Sequence, residues 1–68
     1  MKYDAIYDLE VGQHATLVAL EDPPRTVQQR IVSAYDRWNK RNGWYGTREA
    51  RRITTVVDGD FVTVRRVK

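Results

Sequence analysis

The chain has 68 residues, a formal net charge of +3 and an apolar fraction of 41%. A chain of this length buries only about 60% of its unfolded surface, which leaves room for one small core and disfavours a deep enzyme cleft. The sequence has no cysteine, so a disulfide framework, a thiolate metal site and a cysteine nucleophile are excluded. We therefore predict one small domain over residues 1–68, in which residues 1–12 are loosely ordered.

Charge is distributed unevenly along the chain. Residues 1–24 hold one Lys against five acidic residues, a formal charge of −4, whereas residues 25–68 hold eleven Lys and Arg against four acidic residues, a formal charge of +7. Arginine outnumbers lysine, and its planar guanidinium matches phosphate and carboxylate better than a lysine ammonium does. This asymmetry favours one electropositive surface that suits nucleic acid or an acidic protein patch.

The N-terminal third predicts a loose segment followed by one strand. Residues 3–9 mix apolar and acidic side chains and indicate an extended or loosely turned segment. A turn at residues 11–13 leads into a strand over residues 14–20, whose apolar side chains on both faces favour a central position in a sheet. The start of the chain lacks an apolar stretch of signal-peptide length, and no apolar run approaches 18 residues, so we predict neither secretion nor membrane insertion.

The clearest period in the chain predicts a helix over residues 26–42. At about 100° per residue, five apolar side chains fall on one arc that is wide enough to face a core: Val27, Ile31, Ala34, Tyr35 and Trp38. Thr26 and Gln29 have the spacing of a capping box, in which each side chain satisfies a free backbone N–H group of the first turn. Gly43 fits the position just after the helix, where a positive φ causes no Cβ clash.

A second arc of the same helix carries Arg30, Arg37 and Arg41 within about 40°. The simple interpretation is a solvated face in a small basic protein. However, like charges one and two turns apart on a helix repel each other, and a nearby anion would offset that repulsion. The row is therefore also a candidate for contact with an anionic partner.

After Gly43 the apolar period changes from 3.6 to 2, which predicts a β-ribbon. One strand covers residues 44–57 and the returning strand covers residues 61–67, so the hairpin spans about residues 50–67. Asp58-Gly59 is a strong signal for the two-residue turn between them. The predicted order is β-α-β-β, an α+β fold in which one helix packs across one face of an antiparallel sheet of about three strands.

That turn sets a register in which Val57 faces Asp60. The inner face of the ribbon then holds Ile53, Thr55, Val57, Val62 and Val64, and the outer face holds Thr54, Val56, Phe61 and Thr63. The same register produces two pairs of like charges directly across the ladder, which is unfavourable. These pairs are Arg52 with Arg65 and Arg51 with Arg66. Either the acidic residues Glu49, Asp4 and Asp8 fold back to neutralise them, or an anionic partner does.

Two aromatic residues follow the helix. Trp44 and Tyr45 have opposite strand parity, so we predict that one is buried and the other exposed beside Arg48 and the end of the arginine row, while Trp38 is in the core. An exposed aromatic ring beside a basic row adds base or sugar stacking to phosphate contacts. An exposed ring is equally an anchor in protein–protein contacts. The sequence leaves both interpretations open.

The sequence has few residues suited to catalysis. His14 is the only histidine and belongs to a predicted strand, and Ser33 lies in the middle of the predicted helix. Asp58 and Asp60 flank a turn glycine, which the hairpin explains without a bound cation, and no zinc ligand set or phosphate-binding glycine loop is present. We expect no enzyme activity, no metal and no cofactor.

Four short motifs in this order resemble a broad group of very small bacteriophage-encoded proteins of unassigned function. They are Val11-Gly12, the basic helix end Lys40–Gly43, the segment Tyr45–Arg48 and the closing strand Val62–Val67. In that pattern the aromatic residue is Tyr45, the arginine that follows it is Arg48, and the late strand arginine is Arg66. The resemblance implies a viral accessory protein with a compact α/β fold that acts in the cytoplasm of the host bacterium. It implies no particular activity.

These observations predict a non-enzymatic phage accessory protein that binds nucleic acid, with duplex DNA as the first expectation. The predicted phosphate contacts are Arg30, Arg37, Arg41, Arg48, Arg52 and Arg65, and Trp44 or Tyr45 would add stacking or a wedge. Six such contacts predict a slope of about −5 in log K against log salt. Sequence preference is expected to be weak, because no helix carries groove-reading residues at its N-terminal end.

The alternative prediction is a host-takeover protein that binds an acidic patch on a bacterial enzyme, such as RNA polymerase or a defence nuclease, and inhibits or redirects it. The acidic N-terminal third would then mimic nucleic acid or serve as a second contact arm. A homodimer is also open, because Val32 on the back of the helix and Phe61 on the outer sheet face are both predicted to be exposed.

Overall fold

The structure is a computed structural model that describes residues 3–68. Its elements are α1 (Asp4–Tyr7), β1 (His14–Val18), α2 (Pro24–Arg41), β2 (Ile53–Asp58) and β3 (Phe61–Arg66). The strands form one antiparallel sheet in the order β1-β3-β2, and α2 packs across one face of it. This arrangement confirms the predicted α+β fold.

The segment before β1 is more ordered than the sequence predicts. Residues 4–7 form the short helix α1, and Ile6 and Leu9 are buried in the core. Burial of these two side chains fixes a segment that has no apolar period of its own. The remainder of the predicted loose region, Met1 and Lys2, lies outside the described residues.

The predicted central position of β1 is wrong, because β3 lies between the two other strands. Ala15 and Leu17 of β1 point into the core, whereas Val18 on the other side is 50% exposed. The second apolar face of β1 is therefore part of the exposed outer face of the sheet. It does not indicate that β1 is paired on both edges.

The hairpin turn is Gly59-Asp60 rather than Asp58-Gly59, because Asp58 pairs with Phe61 and Val57 with Val62. Gly59 has φ 58° and no non-glycine residue among those described has a positive φ, so only the first central turn residue is left-handed. That pattern fits a type II′ turn, whereas a type I′ turn would require a positive φ at Asp60 as well. The register therefore differs from the prediction by two residues.

A shift of two residues leaves every side chain on its predicted face. Val62 and Val64 are fully buried, and Ile53, Thr55 and Val57 are half-buried, as predicted for the inner face. The predicted arginine pairs across the ladder are wrong, however. Arg65 lies opposite Thr54, and Arg66 lies opposite Ile53.

The helix α2 begins two residues earlier than predicted, at Pro24. Pro23 precedes it with φ −56° and ψ 142°, and its carbonyl oxygen accepts hydrogen bonds from the backbone N–H groups of Thr26 (2.9 Å) and Val27 (3.1 Å). The predicted capping box is wrong, because Thr26 lies inside the first turn and no side chain caps the helix. Proline is favoured at the first helical position since its missing N–H would have no partner there.

The end of α2 is as predicted. Gly43 has φ 74°, its N–H bonds to the Lys40 carbonyl oxygen (3.1 Å), and the Trp44 N–H bonds to the Asn39 carbonyl oxygen (2.9 Å). This pair of bonds is a Schellman motif, which requires a left-handed residue just after the helix. The chain therefore leaves the helix in a defined direction, toward residues 44–52.

The core lies between α2 and the inner face of the sheet. All five predicted stripe residues contribute to it: Ile31, Ala34 and Tyr35 are buried, and Val27 and Trp38 are half-buried. They pack against Val62 and Val64 of the central strand and against Ile6 and Leu9. Full burial of an aliphatic side chain of this size contributes about 1.5–3 kcal/mol.

The predicted strand over residues 44–52 is wrong, because β2 begins only at Ile53. Gly43 and Gly46 both have positive φ, and the Thr47 N–H and hydroxyl both donate to the Trp44 carbonyl oxygen, at 2.9 and 2.5 Å. These local bonds close successive turns, so the segment folds as a compact loop at the end of α2.

Among the described residues, no helix is long and apolar enough to cross a membrane.

Candidate functional site

The strand register separates the molecule into two ends. His14, Ile53 and Arg66 lie at one end of the sheet, and Val18, Asp58 and Phe61 lie at the other. Asn39 near the end of α2 bonds to the backbone of Arg51, so the C-terminal end of α2 lies with the first group. We call this first region, together with residues 42–52 and 66–68, the basic end, and the opposite region, with residues 19–25 and the hairpin turn, the acidic end.

Formal charge differs sharply between the two ends. The cations at the basic end are Lys40, Arg41, Arg48, Arg51, Arg52, Arg65, Arg66 and Lys68. The carboxylates at the acidic end are Glu21, Asp22, Asp58 and Asp60, and the cations Arg25 and Arg30 lie with them. At the basic end Glu49 lies among the cations, and Asp8 and Glu10 flank Leu9, whose carbonyl oxygen accepts a hydrogen bond from Arg66. The positive surface expected from the sequence is therefore concentrated at one end of the molecule and does not follow the whole length of the helix.

A shallow depression of about 400 Å³ lies at the basic end, between residues 44–51 and the end of the chain. Its lining consists of Trp44, Arg48, Glu49, Ala50, Arg51, Arg66 and Lys68, so four cations share it with one carboxylate. Within residues 3–68, none of these four cations forms an ion pair with a carboxylate. Their charge is therefore not neutralised by the described part of the chain.

The floor of this region is an aromatic cluster. Tyr7 stacks on Trp38 with ring centroids 4.9 Å apart, and Trp44 meets Trp38 edge-on at 5.1 Å. The Arg51 guanidinium lies 4.6 Å from the Trp44 ring centroid and 5.0 Å from that of Trp38. Two such cation–π contacts on a half-buried arginine contribute about 0.5–2 kcal/mol each and fix the plane of the guanidinium.

Asn39 positions Arg51 from the helix side. Its side-chain amide donates to the carbonyl oxygens of Arg51 (3.1 Å) and Tyr35 (3.3 Å), and its carbonyl oxygen accepts from the Arg51 N–H (2.9 Å). Asn39 is 3% exposed, and its side chain thus substitutes for a strand partner to residue 51. A buried polar side chain of this kind is costly unless it is fully bonded, and here it is.

The two predicted aromatic residues differ in exposure, as predicted, but neither is fully buried and both lie on a loop and not on a strand. Trp44 is half-buried, and Tyr45 is 57% exposed with the Lys40 ammonium 4.7 Å from its ring centroid. Arg48, which we predicted beside the exposed ring, lines the same depression as Trp44. These residues form the part of the predicted site that the structure assembles.

Arg30 lies away from the basic end, although it lines one shallow depression together with Arg37. Arg30 belongs to the N-terminal half of α2 and forms an ion pair with Asp22 at 2.5 Å. Its positive charge is therefore neutralised within the chain, which removes it from the candidate phosphate contacts.

Arg37 and Arg41 lie along the side of α2 that faces α1. They line one shallow depression together with Asp4, Tyr7 and Trp38. The acidic N-terminal segment thus lies beside the helix arginine row. Arg41, one turn beyond Arg37 and next to Trp38, is the member of the row that reaches the basic end.

Arg52 and Arg65 occupy the outer side of the sheet at the basic end. Arg65 pairs in register with both Thr54 and His14, and its guanidinium donates to the Gly12 carbonyl oxygen at 3.3 Å. Since the predicted like-charge pairs do not form, the repulsion expected between them provides no argument for an anionic partner.

Four cations at the basic end were not among the predicted site residues: Lys40, Arg51, Arg66 and Lys68. Arg66 points inward and donates to the carbonyl oxygens of Leu9 and Lys68, both at 3.0 Å. Only the Lys40-Arg41 step gave a local signal, because a basic last turn is typical of a helix end. The other three positions depend on contacts between distant parts of the chain.

The hydroxyl of Tyr35 has a pKa that its surroundings shift. Burial raises the pKa of its hydroxyl above the ordinary value of 10.0, and the positive charges of Arg66 and Arg51 act in the opposite direction. The hydroxyl has no hydrogen-bond partner within residues 3–68. It therefore remains protonated at neutral pH and is not suited to act as a base.

Metal binding finds no support in the geometry. Across residues 3–68, no group of three His, Asp or Glu side chains is close enough to hold an ion. Asp58 and Asp60 lie on either side of Gly59 at the hairpin turn and have no third acidic neighbour in that part of the structure.

Comparison of the chain with protein-family models, curated proteins and solved structures finds no match. The relation to small bacteriophage proteins therefore stays a prediction.

Proposed function

We propose that this protein is a non-enzymatic nucleic-acid-binding protein whose basic end contacts the phosphate backbone, with duplex DNA as its first candidate ligand. The observation that carries the proposal is the depression at the basic end, where Arg48, Arg51, Arg66 and Lys68 meet with only Glu49 to oppose them. Uncompensated cations in one place bind a polyanion by releasing its condensed counterions.

The cations at the basic end divide into two roles. Arg51 and Arg66 are half-buried and already held, by rings and by carbonyl oxygens, so they supply a fixed positive field. The exposed cations Arg41, Arg48, Arg52 and Lys68 have the mobility to reach phosphate oxygens. A fixed field surrounded by adaptable side chains suits a ligand that presents a regular row of charges.

Tyr45 and Trp44 supply the non-electrostatic part of the contact. The Tyr45 ring is exposed at the rim of the basic end, and stacking of a base or sugar on such a ring is worth about 1–3 kcal/mol. Trp44 is held by Trp38 and presents only part of its ring. Recognition by phosphate contacts and one exposed ring carries little sequence information, so we expect weak sequence preference.

The N-terminal end of α2 does not act as a groove-reading element in this proposal. It lies at the acidic end, beside Glu21 and Asp22, where a phosphate backbone is repelled. The C-terminal end of α2, which carries a partial negative charge, is compensated by Lys40 and Arg41 in its last turn.

The test is a salt titration of binding to duplex DNA. Four exposed cations in contact with phosphates predict a slope near −4 in log K against log salt. Arg48→Glu should weaken binding about tenfold or more, because it removes one contact and adds a repelling charge. Arg25→Glu is the matched control, since it makes the same change in net charge at the acidic end.

Equal losses for Arg48→Glu and Arg25→Glu would show that binding follows only net charge, and a slope near zero would remove the proposal. Both variants alter exposed side chains, so their folding can be verified by circular dichroism.

An acidic surface on a host protein is the second candidate ligand, and one observation favours it. Tyr45 is exposed beside Lys40, and tyrosine is enriched in protein–protein hot spots. Capture from bacterial lysate after nuclease treatment separates the two candidates. A stoichiometric protein partner that survives nuclease and is lost in Tyr45→Ala supports the second, whereas capture that depends on nucleic acid supports the first.

A further inference from the structure

Neither helix of residues 3–68 packs on the outer face of the sheet. Both helices contribute their buried residues to the inner face, and the outward side chains of the three strands alternate with the buried ones. Three of the outward apolar side chains are about half exposed or more: Phe61 (49%), Val18 (50%) and Val56 (61%). These three side chains give the face an apolar part that a second layer can cover.

The register arranges this face in three rows that run across the strands. The row at the acidic end is Val18, Phe61 and Asp58, the middle row is Thr16, Thr63 and Val56, and the row at the basic end is His14, Arg65 and Thr54. Thr16 and Thr63 share a hydrogen bond at 3.3 Å. The middle row is therefore polar but uncharged at β1 and β3, and apolar at β2, where it holds Val56. Arg52, two residues before Thr54, lies on the same side of the chain and one step beyond the last row.

The face therefore has a carboxylate at one end and arginines at the other, with an aromatic ring next to the carboxylate. A surface with this polarity is complementary to itself when two copies meet in opposite directions. A two-fold axis that lies between the sheets and runs across the strands reverses the strand direction and keeps the strand order. Each acidic end then meets the partner's basic end, and the middle row meets its own copy.

We infer that the outer face of the sheet is a self-association surface, on which two copies of this chain pack face to face with their strands in opposite directions. Phe61 of one copy then lies over Arg65 of the other, which is a cation–π pairing. Asp58 lies near the partner's Arg52 and Arg65. Both contacts occur twice in the dimer because the interface is isologous.

The size of the face sets the strength of the association. Three strands about 4.8 Å apart, each with about five residues at 3.3 Å, cover only about 14 by 17 Å. A stable interface buries about 800 Å² per partner, which is more than this face offers. We therefore expect a weak dimer in concentration-dependent exchange with the monomer, and not an obligate one.

A single strand of nucleic acid is a poorer occupant of this face. Phe61 is the one Phe, Tyr or Trp side chain that the three strands place on it, and Asp58 lies directly beside that ring in the register, where it repels a phosphate. The Asp58 carboxylate favours a second copy of the chain instead, because the second copy places its arginines beside Asp58.

The experiment uses two charge-reversed variants of the full chain, Asp58→Lys and Arg52→Glu/Arg65→Glu. Sedimentation equilibrium of the unaltered protein should show an apparent mass that rises from 8.0 kDa toward twice that value as concentration increases. Each variant alone should associate at least tenfold more weakly, since like charges then meet at both ends of the dimer.

An equimolar mixture of the two variants should restore association, because every end of the mixed dimer again joins opposite charges. The test uses only the two separate variants and their mixture. Far-UV circular dichroism of each variant establishes that it is folded.

Three results would overturn the inference. The first is a mass that stays at 8.0 kDa at all concentrations for the unaltered protein. The second is association that both variants retain, or that mixing fails to restore, because contact would then occur through another surface. The third is binding of nucleic acid to this face. If single-stranded DNA, and not a second copy, shifts the NMR resonances of Val18, Phe61 and Val56, the face is a nucleic-acid platform and the inference is wrong.

Discussion

The two ends of this molecule hold their arginines in different ways. At the acidic end, Arg30 is paired with the carboxylate of Asp22, so the charge of the arginine is cancelled. At the basic end, Arg51 lies against two indole rings, and Arg66 donates to backbone carbonyl oxygens. Ring faces and carbonyl dipoles satisfy a guanidinium without removing its net charge.

This difference explains how a chain of 68 residues keeps a strong positive charge in one place. An arginine that is held by a carboxylate contributes to packing but not to the external field. An arginine that is held by neutral groups contributes to both. The basic end can therefore be rigid and remain attractive to an anion, which is the property that the proposed function needs.

The largest expected effect comes from Asn39→Ala, which tests whether the basic end depends on one buried side chain. The change removes the bonds to the Arg51 N–H and carbonyl and leaves both backbone groups without a partner. An unsatisfied buried group costs about 1–3 kcal/mol, so we expect a loss of about 2–4 kcal/mol in the free energy of unfolding, measured by urea denaturation.

Asn42→Ala is the matched control, because Asn42 makes one exposed bond to the Trp38 carbonyl oxygen at 2.8 Å. It should cost less than about 1 kcal/mol. Equal costs for the two alanine variants would mean that the Asn39 bonds do not hold the segment 44–52 in place.

A smaller effect is expected from Arg51→Met, which keeps the length of the side chain and removes its charge. Loss of the contacts with Trp38 and Trp44 should cost about 1–2 kcal/mol and change the tryptophan fluorescence. The adjacent Arg52→Met removes an exposed arginine and should leave both stability and fluorescence nearly unchanged. If both variants behave alike, the rings do not hold the charge at this end.

The sequence predicts the parts of this fold that rest on local periods. The helix stripe and the two faces of the hairpin are correct, and the faces survive the register error because it spans two residues and preserves parity. The charge separation between the ends was not predicted from the sequence. It depends on β3 lying between β1 and β2, and strand order is a property of the whole chain.

The segment 44–52 shows why part of the candidate site escaped prediction. Its alternating pattern resembles a strand, but Gly43 and Gly46 take left-handed conformations, and Asn39 offers residue 51 a side-chain partner in place of a strand. Asn39 lies twelve residues away on a helix, where an asparagine is usually solvated. No local pattern indicates that it is buried, and therefore the positions of Trp44 and Arg51 could not be derived.

The smallest effect at neutral pH is expected from Tyr35→Phe, which tests how far the field of the basic end reaches into the core. The buried hydroxyl has no bonding partner within residues 3–68, so its removal should change the free energy of unfolding by less than about 1 kcal/mol. A difference should emerge at high pH. Because burial raises the pKa of Tyr35 in the folded state, the unfolded chain loses this proton first as the pH passes the ordinary value of 10.0.

Above that pH the free energy of unfolding of the unaltered protein therefore falls, and Tyr35→Phe lacks this loss. The free energies of unfolding of the two proteins should diverge between about pH 9 and 11. The other three tyrosines are present in both proteins, so their contributions cancel in the difference. Arg66 and Arg51 oppose the rise in the pKa of Tyr35. Removal of one of these charges in Arg51→Met should therefore make the loss of unfolding free energy at high pH larger. If the free energies of unfolding of the two proteins change in parallel with pH, the Tyr35 hydroxyl is already solvated in the folded state. Water would then reach further into the core from the basic end than the burial of Tyr35 implies.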